Sequence, residues 1–314
     1  MALIRKEPFG RIRDGRETFL YTLRNTKGTE VAVTNYGARL VSWKIRDRAF
    51  QKVNVLLGFS EAAGYEEEKP SLSAAAGQGN GDALAAPAKL WEASEEAGRL
   101  CLTCAGADGG EDAVKITYAL SNDNELSVRY AWKPVSDVLH ELTHRACFHL
   151  DGDASGSVEK QKIKIFADKF CRQEDRLAGQ EFLPVEGTSM DFREFSEIGT
   201  RMSDFGGDGI ACYIRDEKPV VEMELGMFGY DITCPIDYND GGLRQAVLVE
   251  GAESGISLAV YTTLPTMIFR AGDCLQGSGK QKGLCLETHF GEELLPEEKG
   301  TVREAQLVYA LKVR

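Results

Sequence analysis

Near the end of the chain, Gly283-Leu-Cys-Leu-Glu287-Thr-His289 mixes apolar and polar residues in a β-prone run. A period of two places Cys285, Glu287 and His289 on one face and Leu284, Leu286 and Thr288 on the other. Residues 19–23, 30–34, 113–120, 125–132, 246–249 and 256–263 are likewise β-prone and bounded by turn residues. Turns are expected at 25–28, 121–124 and 239–242, and only 60–65 reads as a short helical turn. Many short strands at similar spacing predict an all-β sandwich or barrel. Neither a repeat nor a linker interrupts the pattern, so a single domain over residues 1–314 is expected.

Glu287 is the lone carboxylate in its run. A buried carboxylate costs several kcal/mol, on the order of a lost charge pair, unless it is paired or working. A strand-end salt bridge and a catalytic role both satisfy that condition. The composition narrows the classes. With 43% hydrophobic residues over 314 positions, a sizeable core is available, and no apolar run approaches a membrane span. The start, Met1-Ala-Leu-Ile-Arg-Lys-Glu-Pro8, lacks the features of a secretory leader, and a cytoplasmic location is expected. A net charge of −12 disfavours nucleic acid as a partner. Of the 8 cysteines, only Cys101-Leu-Thr-Cys104 has ligand-like spacing, and residues three apart on a strand point oppositely. Buried thiols without metal are therefore expected, and no cofactor is called for.

Five segments in order resemble the aldose 1-epimerase (galactose mutarotase-like) family. They are Thr34-Asn-Tyr-Gly37-Ala-Arg-Leu-Val-Ser-Trp43, Val55-Leu-Leu-Gly58-Phe, Leu183-Pro-Val-Glu-Gly187-Thr-Ser-Met-Asp191-Phe-Arg193, Gly229-Tyr-Asp231 with Val260-Tyr-Thr-Thr263, and the run ending at Glu287. The resemblance implies a super-sandwich of antiparallel sheets with a sugar cleft on a concave face. It also implies Glu287 as catalytic base and Asp231 as a contact to a sugar hydroxyl. The first two segments are expected as a strand pair and the strand after it.

The chain departs from that family twice. In Ser71-Leu-Ser-Ala-Ala-Ala-Gly77-Gln-Gly-Asn-Gly81, Gln78 stands where the family has its first arginine, and the family's second arginine is absent. The histidine-bearing motif that follows in the family is missing; Trp91 is either a sugar-stacking surface or a core residue. Glu141-Leu-Thr-His144-Arg145-Ala-Cys-Phe148-His149 resembles the strand that carries the family's general acid, yet Arg145 falls on the acid's position. Arginine stays protonated and donates hydrogen bonds rather than protons. Alternation sets Arg145, Cys147 and His149 on one face and His144, Ala146 and Phe148 on the other.

Anomer interconversion needs a base for the O1 proton and an acid for the ring oxygen. The expected catalytic residues are Glu287 as base and His149, or else His144, as acid. Asp231, Arg145, His289, Gln78 and Trp91 are the expected substrate contacts. His289 either tunes Glu287, touches the ligand or is a plain surface residue. Three functions follow: an epimerase of free aldoses, an anomerase for a sugar phosphate or uronate, or a non-catalytic carbohydrate-binding relative. The expected partner is a small sugar, with no membrane or nucleic acid, on a monomer or homodimer.

Overall fold

A computed structural model describes residues 2–67, 89–104, 113–133, 144–172, 182–203, 231–235, 242–275, 281–289 and 301–314. Its strands are β1 (Leu3–Arg11), β2 (Glu17–Arg24), β3 (Glu30–Thr34), β4 (Arg39–Arg46), β5 (Lys52–Asn54), β6 (Glu92–Glu96), β7 (Arg99–Cys104), β8 (Val114–Leu120), β9 (Glu125–Trp132) and β10 (Cys147–Phe148). They continue with β11 (Lys162–Ile165), β12 (Lys169–Arg172), β13 (Leu183–Pro184), β14 (Ser196–Glu197), β15 (Asp231–Pro235), β16 (Arg244–Glu250), β17 (Ile256–Thr262), β18 (Thr266–Leu275), β19 (Gln281–His289) and β20 (Arg303–Val313). Two short helices, α1 (Ala62–Glu67) and α2 (Ile198–Ser203), and a 3-10 turn at Val158–Lys160 complete the described elements.

Among the described residues the strands form three sheets, and every ladder is antiparallel. β1 to β5 make a five-stranded meander. A nine-stranded sheet runs β14-β11-β16-β17-β20-β9-β8-β7-β6, and a six-stranded sheet runs β10-β19-β18-β15-β12-β13. Alternation explains the element choice. β8 and β17 bury every second residue, and β9 does so after its exposed first residue, so each strand presents one apolar row to the core. The nine-stranded sheet ends on β6, whose five residues are all exposed and include Glu92, Glu95 and Glu96.

Trp43, Phe148 and Tyr309 come from the three different sheets and meet in one apolar cluster. The Tyr309 ring lies 5.2 Å from Phe148 and 6.4 Å from Trp43. Trp91 belongs to the same cluster at 2% exposure, so it has no open ring face for a sugar and its place is in the core.

Two expected strands differ. Residues 55–57 are a connector rather than a strand: Val55 N–H donates to Trp43 O, Leu57 N–H donates to Cys147 O, and Val55 O accepts from His149 N–H. This connector ties the five-stranded sheet to β10. Gly58 permits its close approach, because a Cβ there would sit 2.4 Å from the Val41 carbonyl oxygen. Of the described residues 144–152, only Cys147 and Phe148 are strand, and the chain turns away after them. The turn expected at 239–242 lies mostly outside the described residues. No described helix is long and apolar enough to cross a membrane.

His144 is fully buried, with Nε2 3.4 Å from the Tyr118 hydroxyl and Nδ1 3.4 Å from the Tyr309 hydroxyl. Burial pulls its pKa down to about 3, so it is neutral in the fold. An unfolded chain protonates this ring below its ordinary value near 6.5, while the native ring resists down to about 3. Stability is therefore present above that window and lost as pH falls through it. Between pH 7 and pH 5 this residue should account for about 2 kcal/mol of lost stability. Urea titrations at the two pH values should show a smaller difference for His144→Leu than for the parent chain.

Candidate active site

β19 supplies the centre of the site. Its Leu284 and Leu286 lie in the main apolar cluster, which turns Cys285 and Glu287 to the opposite face. Residues paired across an antiparallel ladder share a face, so the registers of the six-stranded sheet can be followed in rows. One row runs Cys147, Cys285, Arg270, Asp231. The next holds Glu287, Ile268 and Thr233, with Arg145 reaching it from just before β10. The third holds His289, Thr266 and Pro235. Arg145 and Glu287, singled out separately in the sequence, thus meet, and Asp231 and His289 hold register positions in the adjoining rows.

Glu287 has a side chain only 3% exposed. Its Oε1 accepts a 2.7 Å hydrogen bond from Arg270 Nη1, and its Oε2 lies 3.5 Å from Arg145 Nε. Oε2 is buried and accepts no hydrogen bond. The side chains of Arg145 and Arg270 are 26% and 30% exposed, so both partners are more open to solvent than the carboxylate they enclose. This arrangement resolves the cost of burying Glu287. The charge is paired, and one oxygen still has acceptor capacity.

The cysteine row contains a finding that the sequence reading missed. Cys147 and Cys285, expected as separate thiols, are joined in a disulfide with Cα atoms 4.1 Å apart. Cys101 and Cys104 match the expectation of buried thiols. Around the bridge, Phe9, Tyr36, Val41, Leu57 and Tyr65 form a second apolar cluster that closes this end of the face. Beside it, Arg39 is buried, donates 2.7 Å to the Tyr36 carbonyl and stacks 4.5 Å from the Tyr36 ring. Burial lowers the Arg39 pKa to about 10.

The imidazoles expected to serve as acid are placed elsewhere. His144 faces the core between Tyr118 and Tyr309. Burial, Tyr130 and the Glu287 charge, in that order, raise the Tyr309 pKa. His149 follows Phe148, whose partner Leu284 is three residues from Glu287, roughly 10 Å along a strand. Its Nδ1 lies 3.1 Å from Gln161 Nε2, and Gln161 Oε1 accepts from Leu150 N–H, so the amide nitrogen donates to the ring. His149 is buried and its pKa is lowered, mainly by that burial. Neither ring contacts Glu287. Gln78 lies outside the described residues. Arg270 was not anticipated; the available signal was a lone arginine in the apolar run Thr266-Met-Ile-Phe-Arg270. Among the described residues no group of three His, Cys, Asp or Glu could hold a metal.

Comparison with known proteins agrees with this architecture. A family model for aldose 1-epimerase matches residues 20–82 and 81–291. The chain belongs to the aldose 1-epimerase family. It is 26% identical to an aldose 1-epimerase of Escherichia coli K12, over 88% of this chain and 87% of that protein. It is 24% identical to a galactose mutarotase of Mus musculus, over 92% of this chain and 90% of that one. A galactose 1-epimerase structure from Lactobacillus acidophilus superposes with a TM-score of 0.70 at 18% identity, covering 100% of this chain and 99% of the other. The superposition shows a shared fold, which in this chain is built mainly of antiparallel sheets.

Removing Arg270 should expose the cost of enclosing Glu287. Arg270→Met should lower unfolding free energy by about 2–3 kcal/mol, below the range for a wholly enclosed pair because Arg270 is partly solvated. Arg270→Lys should lose less, and denaturant midpoints of both variants check the order.

Proposed function

We propose that this aldose 1-epimerase family member interconverts the anomers of an aldose, with Glu287 Oε2 as the atom that takes the O1 proton. The observation that carries the reading is a deeply enclosed carboxylate with one oxygen fixed by Arg270 and the other left as an acceptor. A base must be held within hydrogen-bond reach of the proton it removes, and Arg270 restricts the carboxylate to one orientation.

Ring opening proceeds as the O1 proton passes to Glu287, the C1–O1 bond becomes a carbonyl, and the C1 to ring-oxygen bond breaks. Negative charge then develops on the ring oxygen. Arg145 is half-buried beside Glu287 and supplies a fixed donor for that charge. The proton for the ring oxygen is assigned to His289, two residues from Glu287 on the same face, roughly 7 Å along β19. Rotation about the C1–C2 bond and the reverse proton transfers close the ring on the other face. Asp231, opposite Arg270 in the register, serves as an acceptor for a sugar hydroxyl. On this reading the described residues belong to a single domain that carries the site.

A second reading, a carbohydrate-binding relative without turnover, is favoured by the positions of His144 and His149 away from Glu287. Polarimetry or exchange NMR with galactose, glucose and their 6-phosphates separates the readings and tests the anionic-substrate alternative. Glu287→Gln should lower the anomerisation rate about 10³-fold while sugar binding stays measurable. His289→Ala should lower it about 10²-fold. An active Glu287→Gln variant would exclude the base assignment, and a parent chain that binds sugar without anomerising it would establish the binding-only reading.

A further inference from the structure

The Cys147–Cys285 bridge joins residues 138 positions apart that face each other directly across the β10–β19 ladder. Each cysteine is one same-face step from a charged residue of the site: Arg145 precedes Cys147, and Glu287 follows Cys285. Arg270 stands opposite Cys285. β10 has only two residues and lies at the edge of its sheet. Among the described residues its other ties include the Phe148–Leu284 pair, a 3.4 Å hydrogen bond from Leu286 N–H to Ala146 O, and the 55–57 connector. Packing of Ala146 and Phe148 in the main cluster sets which way β10 faces, and the bridge is the covalent tie that holds so short a strand against β19, with Arg145 beside Glu287.

We infer that the Cys147–Cys285 bridge is a redox latch on the candidate site: closed, it holds Arg145 beside Glu287, and opened by a dithiol reductant, it frees β10 from that register. In opening, a reductant thiolate attacks Sγ of one cysteine, forms a mixed disulfide and expels the other cysteine as a thiolate, which takes up a proton. The second reductant thiol then displaces the first cysteine, which is also protonated, and the reductant leaves as its own disulfide. The protein gains two electrons and two protons. Both cysteines are buried, so attack follows local fraying of the short edge strand. The effect on turnover rests on the roles proposed above for Glu287 and Arg145; the latch itself does not.

The test uses the full chain, air-oxidised and after dithiothreitol, with thiols counted by alkylation of denatured samples. Amide hydrogen exchange is followed at Leu57 and His149, which donate to Cys147 O and Val55 O. Reduction should speed exchange at both amides by about tenfold or more. It should also lower the anomerisation rate about tenfold, reversibly on reoxidation. The double variant C147S/C285S should match the reduced protein and ignore dithiothreitol. Should it fail to fold, the parent chain in its two redox states carries the test alone. The latch is overturned if exchange is unchanged once both thiols are shown to be reduced, or if both cysteines are alkylated in air-equilibrated protein. Faster exchange with an unchanged anomerisation rate overturns its control of the site. Faster exchange without anomerisation in either state sustains the latch and removes the catalytic reading.

Discussion

The site depends on one pairing, the opposition of Cys147 and Cys285 across β10 and β19. It is fixed from the buried side. Ala146, Phe148, Leu284 and Leu286 all lie in the main cluster, so both strands must present the same parity to the core. A slip of one residue would drive Arg145 into apolar packing and lift Phe148 out of it, a change no local contact could offset. The hydrophobic pattern thus places the charged residues, although it makes no contact with a ligand.

From that pairing the electrostatics follow. Arg145 approaches Glu287 from the edge, and Arg270 approaches diagonally from β18. A carboxylate so enclosed would be a liability if either cation were lost, and its two oxygens are not equivalent. One is committed to a 2.7 Å hydrogen bond and the other is not. The asymmetry is a property of the sheet geometry, because the diagonal reach of an arginine across one ladder step selects the nearer oxygen.

Much of this was legible in the sequence because a strand repeats every two residues. The alternation in 113–120, 125–132 and 256–263 gave β8, β9 and β17 nearly to their ends. It also set Arg145 apart from His144 before any contact was known. Three features were not legible, each for a physical reason. The bridge joins cysteines 138 residues apart, and pairing among eight cysteines cannot be read from spacing. Arg270 gains its meaning only from the β18–β19 register, in which it stands one pair from Glu287. His149 was projected along a strand that stops at Phe148, and the turn after it carries the ring to Gln161. Periodicity states which side a residue faces while the strand lasts; it does not state where the strand stops.

The far margin of the nine-stranded sheet has a consequence of its own. Among the described residues β6 ends its sheet, and an unpaired edge of this kind is a template on which another chain can pair. Its three glutamates meet any approaching copy of this −12 molecule with like charge, and Glu96 is paired with Lys115 at 3.2 Å. Acidic side chains along this border therefore act against edge-to-edge association, and neutralising them would weaken that protection without disturbing the interior.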